Sequence, residues 1–325
     1  GTADCDGHGT IVAGIIAAAP DSDDPAAFSG IAPDASLLSI RQSSNKFRYT
    51  GDPTSSGVGD VETLAAAVRL AADLGATVIN ISSVACLPAD ADLDDRALGA
   101  ALAYAVDVTN TVVVSAAGNV GGPGQCPDAN PRDPSGAVSV VASPAWYDDL
   151  VLTVGSVGAD GAASEFSLTG PWVDVAAPGE HVVSLAPAAD GLVDASPSGA
   201  PLSGTSYAAP VVSGIAALVR ARFPELTARQ VMQRIEDTAH HPSAGWDPAV
   251  GRGVVDVLAA LSDVGSAPTT HATTPVVVNP TEAPPARSGP AMRGILVCAG
   301  LVGGVAVVTA AAGRSRRRGD AVPGD

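Results

Sequence analysis

The 325-residue sequence predicts an α/β domain, a mostly parallel sheet with helices on both faces, followed by a single C-terminal transmembrane helix. Three observations carry this. Short apolar runs recur at 36–40, 77–82, 111–115, 138–142 and 151–154, without the polar alternation of a half-solvated strand. Helical patterns lie between several of them. Near the end, the twenty residues 294–313 carry no charge. At about 1.5 Å per residue they reach across about 30 Å, the depth of a bilayer core.

The elements follow in order. A helix starts just after His8, where Gly7-His8-Gly9-Thr10 leads into IVAGIIAAA. Residues 61–74 form a second helix, with Asp60 as N-cap, Leu64, Val68 and Ala71 on one face and Gly75 past its end. Residues 95–108 form a third. Residues 206–222 form a long apolar helix, with Pro210 assigned to its first turn, where proline costs little. Phe223-Pro224 ends it, and the capping box Thr227-x-x-Gln230 opens another. The folded domain is thus 1–263. Residues 264–293 are a Pro/Thr-rich linker with no apolar period to bury. The span 294–313 follows, then a basic tail, 314–325, holding Arg314, Arg316, Arg317 and Arg318. The positive-inside rule puts that tail in the cytoplasm and the domain outside. Gly300 and Gly304 form a G-x-x-x-G pair, a weak signal of helix association.

Composition excludes other classes. With 46% hydrophobic residues the chain is not disordered. Net charge is −17, and the six arginines and three acids of 264–325 leave the first 263 residues at −20. A body that acidic does not bind nucleic acid, where affinity comes from neutralising phosphates, and an anionic membrane surface repels it.

Three segments could carry chemistry. His8 sits between glycines at a helix start, with an intrinsic pKa suited to moving a proton near neutrality. Ser206, in Ser203-Gly204-Thr205-Ser206-Tyr207-Ala208-Ala209-Pro210, stands where helix N–H groups favour developing negative charge. Asn119, in Ala116-Ala117-Gly118-Asn119, follows an apolar strand, where open sheets place their ligands, and its amide can donate to an oxyanion. Taken singly, each has a commoner reading: a turn histidine, a helix N-cap at Thr205 or Ser206, an asparagine in a tight turn.

Together the segments H-G-T, A-A-G-N and G-T-S-x-A-x-P resemble the subtilisin-like serine proteases, over residues 1 to about 262. The resemblance implies that His8 is the general base, Ser206 the nucleophile and Asn119 the oxyanion-hole donor. Within that family the chain is similar to the mycosins, membrane-anchored subtilases of type VII secretion systems. The segments Cys5-Asp6-Gly7-His8-Gly9-Thr10, Pro144-Ala145-Trp146-Tyr147 and Gly170–Gly179, with the linker, span and arginine tail, carry that likeness. It implies a membrane-anchored endopeptidase acting on protein or peptide substrates, in company with a type VII secretion membrane complex. A structural subunit of that complex, with little or no required proteolysis, is the alternative. No cofactor is implied.

In subtilases an S-x-G-G edge pairs with substrate. Here Ser82, Ser83, Val84 and Ala85 stand in its place, and Ser82, Ser83 and Val84 with Gly118 are the expected substrate-binding residues. Side chains at the two glycine positions imply a narrowed pocket and restricted specificity. Mycosins also imply a disulfide between Cys86 and Cys126. That leaves Cys5 needing a partner, while Cys298 lies in the span. The family's triad aspartate comes from a D-[ST]-G strand end upstream of the histidine, and only seven residues precede His8. Asp4 and Asp6 belong to the histidine's own turn. The sequence is therefore expected to lack an N-terminal piece carrying that aspartate and the Cys5 partner, and to be nearly inactive as it stands. The acidic clusters Asp21/Asp23/Asp24 and Asp90/Asp92/Asp94/Asp95 are read as solvated loop charge rather than calcium ligands, and no metal site is assigned.

Overall fold

A computed structural model describes residues 4, 6–20, 28–44, 47, 57–91, 94–122, 125–133, 135–187 and 190–263. The expected linker, span and basic tail lie outside the described residues, as do Cys5, Asp21, Asp23, Asp24, Asp92 and Cys298. Among the described residues, no helix is long and apolar enough to cross a membrane.

In chain order the elements are α1 (His8–Ala17), α2 (Val61–Asp73), β1 (Val78–Ile81), β2 (Ala85–Pro88) and α3 (Arg96–Ala103), which runs into a π turn at Tyr104–Val108. Then come β3 (Val112–Ala116), β4 (Val140–Ser143), β5 (Leu152–Val157), β6 (Val175–Pro178), β7 (Ser184–Leu185) and β8 (Leu192–Val193). The helices α4 (Thr205–Arg222), α5 (Ala228–Asp237) and α6 (Val257–Leu261) close the order.

The main sheet is parallel, in the order β1-β3-β5-β6. Every residue of β3 and β5 is buried, so both faces of the sheet are covered. That is why these strands read without the polar alternation of a half-solvated strand. Helix α4 packs against all four strands. Leu98 and Leu102 of α3, Val112–Val114 of β3, Ile215 of α4 and Ile235 of α5 share one apolar core. A second cluster gathers Ala117, Cys126, Val140, Ala142, Leu168 and Trp172.

Helix starts follow the sequence signals. Asp60 Oδ1 accepts from the Thr63 N–H at 2.8 Å, and the Asp60 N–H donates to Thr63 Oγ1 at 2.9 Å. Gly75 takes φ +82° just past α2, a left-handed conformation open to glycine. Thr227 and Gln230 close the expected box on α5. At α1 the capping group comes from further back. Asp4 accepts from the N–H groups of Gly7 (2.9 Å) and Thr10 (2.7 Å) and from the Thr10 hydroxyl (2.7 Å).

Four details differ from expectation. Residues 36–40 make no ladder, and Leu37 and Leu38 are about half exposed. The 138–142 run becomes β4, outside the main sheet, and pairs antiparallel with β2. The helix expected over 95–108 loosens into the π turn after Ala103, where the Thr109 N–H reaches back five residues to the Tyr104 carbonyl. Helix α4 begins at Thr205, so Pro210 lies in its second turn, not its first.

Candidate active site

The strand-end turn after β3 and the N-terminal turns of α1 and α4 bring the three expected residues into one neighbourhood. His8 is the first residue of α1, which packs against α4. Its ring lies 5.5 Å, centroid to centroid, from that of Tyr207, the residue after Ser206. Ser206 is the second residue of α4. A Cβ on Gly204 would stand 3.3 Å from Ser206 Oγ and 3.5 Å from Asn119 Nδ2. The hydroxyl and the amide nitrogen therefore flank one small space that only a glycine leaves open.

The Asn119 amide has a forced orientation. Its Oδ1 accepts from the Thr205 N–H at 2.9 Å and from Thr205 Oγ1 at 3.0 Å. A backbone N–H can only donate, so the oxygen must face Thr205 and the NH₂ must face the opposite way. Thr205 Oγ1 in turn accepts from the Gly118 N–H at 3.2 Å. Gly118 is fixed twice over. It takes φ +109° to turn the chain, and a Cβ there would lie 3.0 Å from Cys126 Sγ. The Cys86–Cys126 disulfide is formed, with S–S 2.05 Å, and ties β2 to this turn. The Cys126 N–H donates to the Asn119 carbonyl at 2.8 Å.

The expected substrate edge is only partly open. Ser82 Oγ donates to the Ser206 carbonyl at 2.7 Å, so its hydroxyl is engaged by α4. Ser83 is exposed, and Val84 packs against the second apolar cluster.

Burial holds the His8 imidazole below the ordinary histidine pKa, against the opposing charges of Asp4 and Asp6. A neutral ring is the form that can accept a proton. Burial would raise the Asp4 carboxyl, but hydrogen bonds from the Thr10 hydroxyl and the Thr10 and Gly7 amides hold it low. Asp4 is thus committed to the start of α1.

Three groups escaped the sequence reading. Thr205 lies inside a recognised motif but drew notice only as a cap. Asn80 and Ser213 are polar residues inside apolar elements, and that mismatch was the signal that could have found them. One expectation is corrected. Asp95 is not solvated charge: it is 5% exposed, and its carboxylate accepts from Ser143 Oγ (2.6 Å), Trp146 Nε1 (2.9 Å) and the Tyr147 hydroxyl (2.8 Å). Asp94 pairs with Arg96 at 2.6 Å. No group of His, Cys, Asp or Glu among the described residues could hold a metal ion.

Comparisons with known proteins give the chain its family. The model of the Subtilase family, Peptidase_S8, matches residues 1–253. Mycosin-4 of Mycobacterium tuberculosis is 69% identical over 81% of this chain, and the match spans 58% of that relative's length. Mycosin-1 of the same organism is 44% identical over 98% of this chain and 74% of its own length. A chain in the structure of an intact ESX-5 inner membrane complex superposes with TM-score 0.72 at 40% identity, covering 97% of this chain and 78% of that one.

Proposed function

The chain belongs to the Subtilase family, among relatives that are mycosins, and we propose that it is a membrane-anchored serine endopeptidase acting in type VII protein secretion. Ser206 attacks the peptide carbonyl, His8 takes its proton and returns it to the leaving amine, and Asn119 with the Ser206 N–H holds the oxyanion. The observation that carries this is the Asn119 amide. Thr205 locks its oxygen, so its NH₂ is turned to the space beside Ser206 Oγ. The substrates are a restricted set of peptides, since Val84 and Ala85 replace the small residues of an open edge. The anchor is 294–313, supported by its twenty uncharged residues and the arginines that follow. A carboxylate that orients His8 would complete the triad, and Asp4 is engaged by the α1 start. A fluorogenic peptide panel read against Ser206→Ala tests the proposal. Equal rates for parent and variant would sink it.

The likeness to a chain of a secretion membrane complex, over nearly all of this sequence, favours a second reading: a structural subunit for which cleavage is secondary. Ser206→Ala in cells, with export as the readout, separates the two. Lost export with the complex intact supports the peptidase role, and unchanged export supports the structural one.

A further inference from the structure

Within α4, the Ser206 carbonyl would ordinarily accept from the N–H four residues on. That residue is Pro210, which has no N–H. A half-enclosed carbonyl at the start of a helix is left without its usual partner, at the residue whose side chain reacts. Ser82 fills the gap, donating its hydroxyl to the Ser206 oxygen at 2.7 Å. Ser82 is itself held. Asn80 Nδ2 donates to Ser82 Oγ at 2.9 Å, and Ser213 Oγ donates to Asn80 Oδ1 at 2.9 Å. The three donations run one way, from Ser213 on the next turns of α4, through Asn80 on β1, and back to the first turn of α4. Such a chain polarises each bond in turn. It also clips the helix start to the sheet at both ends of the proline.

We propose that Ser82 is a positioning residue for Ser206, replacing the helix hydrogen bond that Pro210 deletes and fixing the backbone from which the nucleophile projects. This rests on the reading of Ser206 as nucleophile and adds to it. Ser82 then acts on the chemical step and not only as an edge for substrate. Asn80 and Ser213 are there to hold it.

The test uses the full-length gene product and diisopropyl fluorophosphate, a small reagent that reaches Ser206 without lying along the 82–84 edge. The rate of Ser206 modification is followed by mass, with thermal midpoints in parallel. Ser82→Ala slows modification about tenfold, the effect of a small misplacement of a reacting group. Ser82→Thr, which keeps the hydroxyl, stays within about threefold of the parent. The decisive variant is Ser82→Ala with Pro210→Ala: the backbone N–H gained at position 210 takes the orphaned carbonyl and restores the rate to within about threefold. If Ser82→Ala fails to fold, the double variant must still fold and react. Ser82→Ala reacting at the parental rate while its KM for peptides rises would overturn the proposal, leaving Ser82 as substrate edge. A folded double variant that stays slow would overturn it too. Absence of modification in the parent protein is a different result, removing the nucleophile reading itself.

Discussion

Asn119 is aimed by an oxygen that does not take part in the chemistry. Both donors of Thr205 converge on Oδ1, so the NH₂ side is set before any substrate arrives. A donor fixed in advance costs no reorganisation when the oxyanion forms. Asn119→Ala in the full-length gene product should therefore lower kcat by about 10²–10³-fold with little change in KM. Steady-state kinetics on a cleaved peptide check this, and a loss confined to KM would contradict an oxyanion role. His8, Asn119 and Ser206 were legible in the sequence because their motifs join reactive groups to turn-forming neighbours. Thr205 and Ser82 act through contacts spanning 86 and 124 residues, which no local pattern records. Pro210 was legible as a proline, and the group that replaces its missing N–H was not, because Ser82 lies on another element.

At the scale of elements, the main-sheet strands visible in the sequence, β1, β3 and β5, were those rich in valine, isoleucine and threonine. Strands β3 and β5 are buried throughout, whereas β6, Val-Ala-Ala-Pro, is short and rich in alanine and offered no contrast with a loop. Residues 36–40 have the composition of a strand, but a ladder needs a neighbour with a free edge, and composition cannot supply one. The pair β2–β4 was hidden for a similar reason. Its Asp95 clamp looks like an acidic loop until Ser143, Trp146 and Tyr147 fold around it. The disulfide joins β2 to the turn that carries Asn119, so it links the proposed substrate edge to the proposed oxyanion donor. It closes a loop of 40 residues. Cys86→Ser with Cys126→Ser should lower stability by about 4 kcal/mol on the chain-entropy account. Urea unfolding of the full-length gene product reads the loss. Since Cys126 also packs under Gly118, peptide turnover should fall at temperatures where the variant is still folded. Turnover equal to the parent's would limit the bridge to a role in stability.

For the molecule as a whole, pH acts through a carboxylate cluster far from the reacting groups. Glu236 of α5, Asp174 just before β6, Asp148 in the turn after β4 and Arg252 in the turn before α6 come from four parts of the chain. Asp174 Oδ2 accepts from the Thr153 N–H at 2.6 Å, and Arg252 Nε lies 4.0 Å from Glu236. Burial, opposed by Arg252, pushes the Glu236 carboxyl up to about 7. Burial and then the Glu236 charge push Asp174 well above the carboxylate range, and burial with the Asp149 charge raises Asp148. A carboxyl whose folded pKa is raised holds its proton more tightly in the native state. Between the ordinary glutamate value of 4.5 and about 7, the native state therefore binds more protons than the unfolded one. By linkage, stability is greatest at the acid end of that window and is lost as pH rises through it. This is the reverse of the usual salt-bridged aspartate, and the −17 net charge adds self-repulsion in the same direction. Glu236 is 20% exposed, so solvent screening leaves a contribution of about 2 kcal/mol. Glu236→Gln removes the titration while keeping size and polarity. At pH 5 the variant and parent should unfold at similar urea concentrations. By pH 8 the variant should be the more stable by about 2 kcal/mol, because it has no buried charge to form. Parallel urea midpoints across pH 5 to 8 measure the difference, and equal slopes for the two proteins would remove Glu236 as the source.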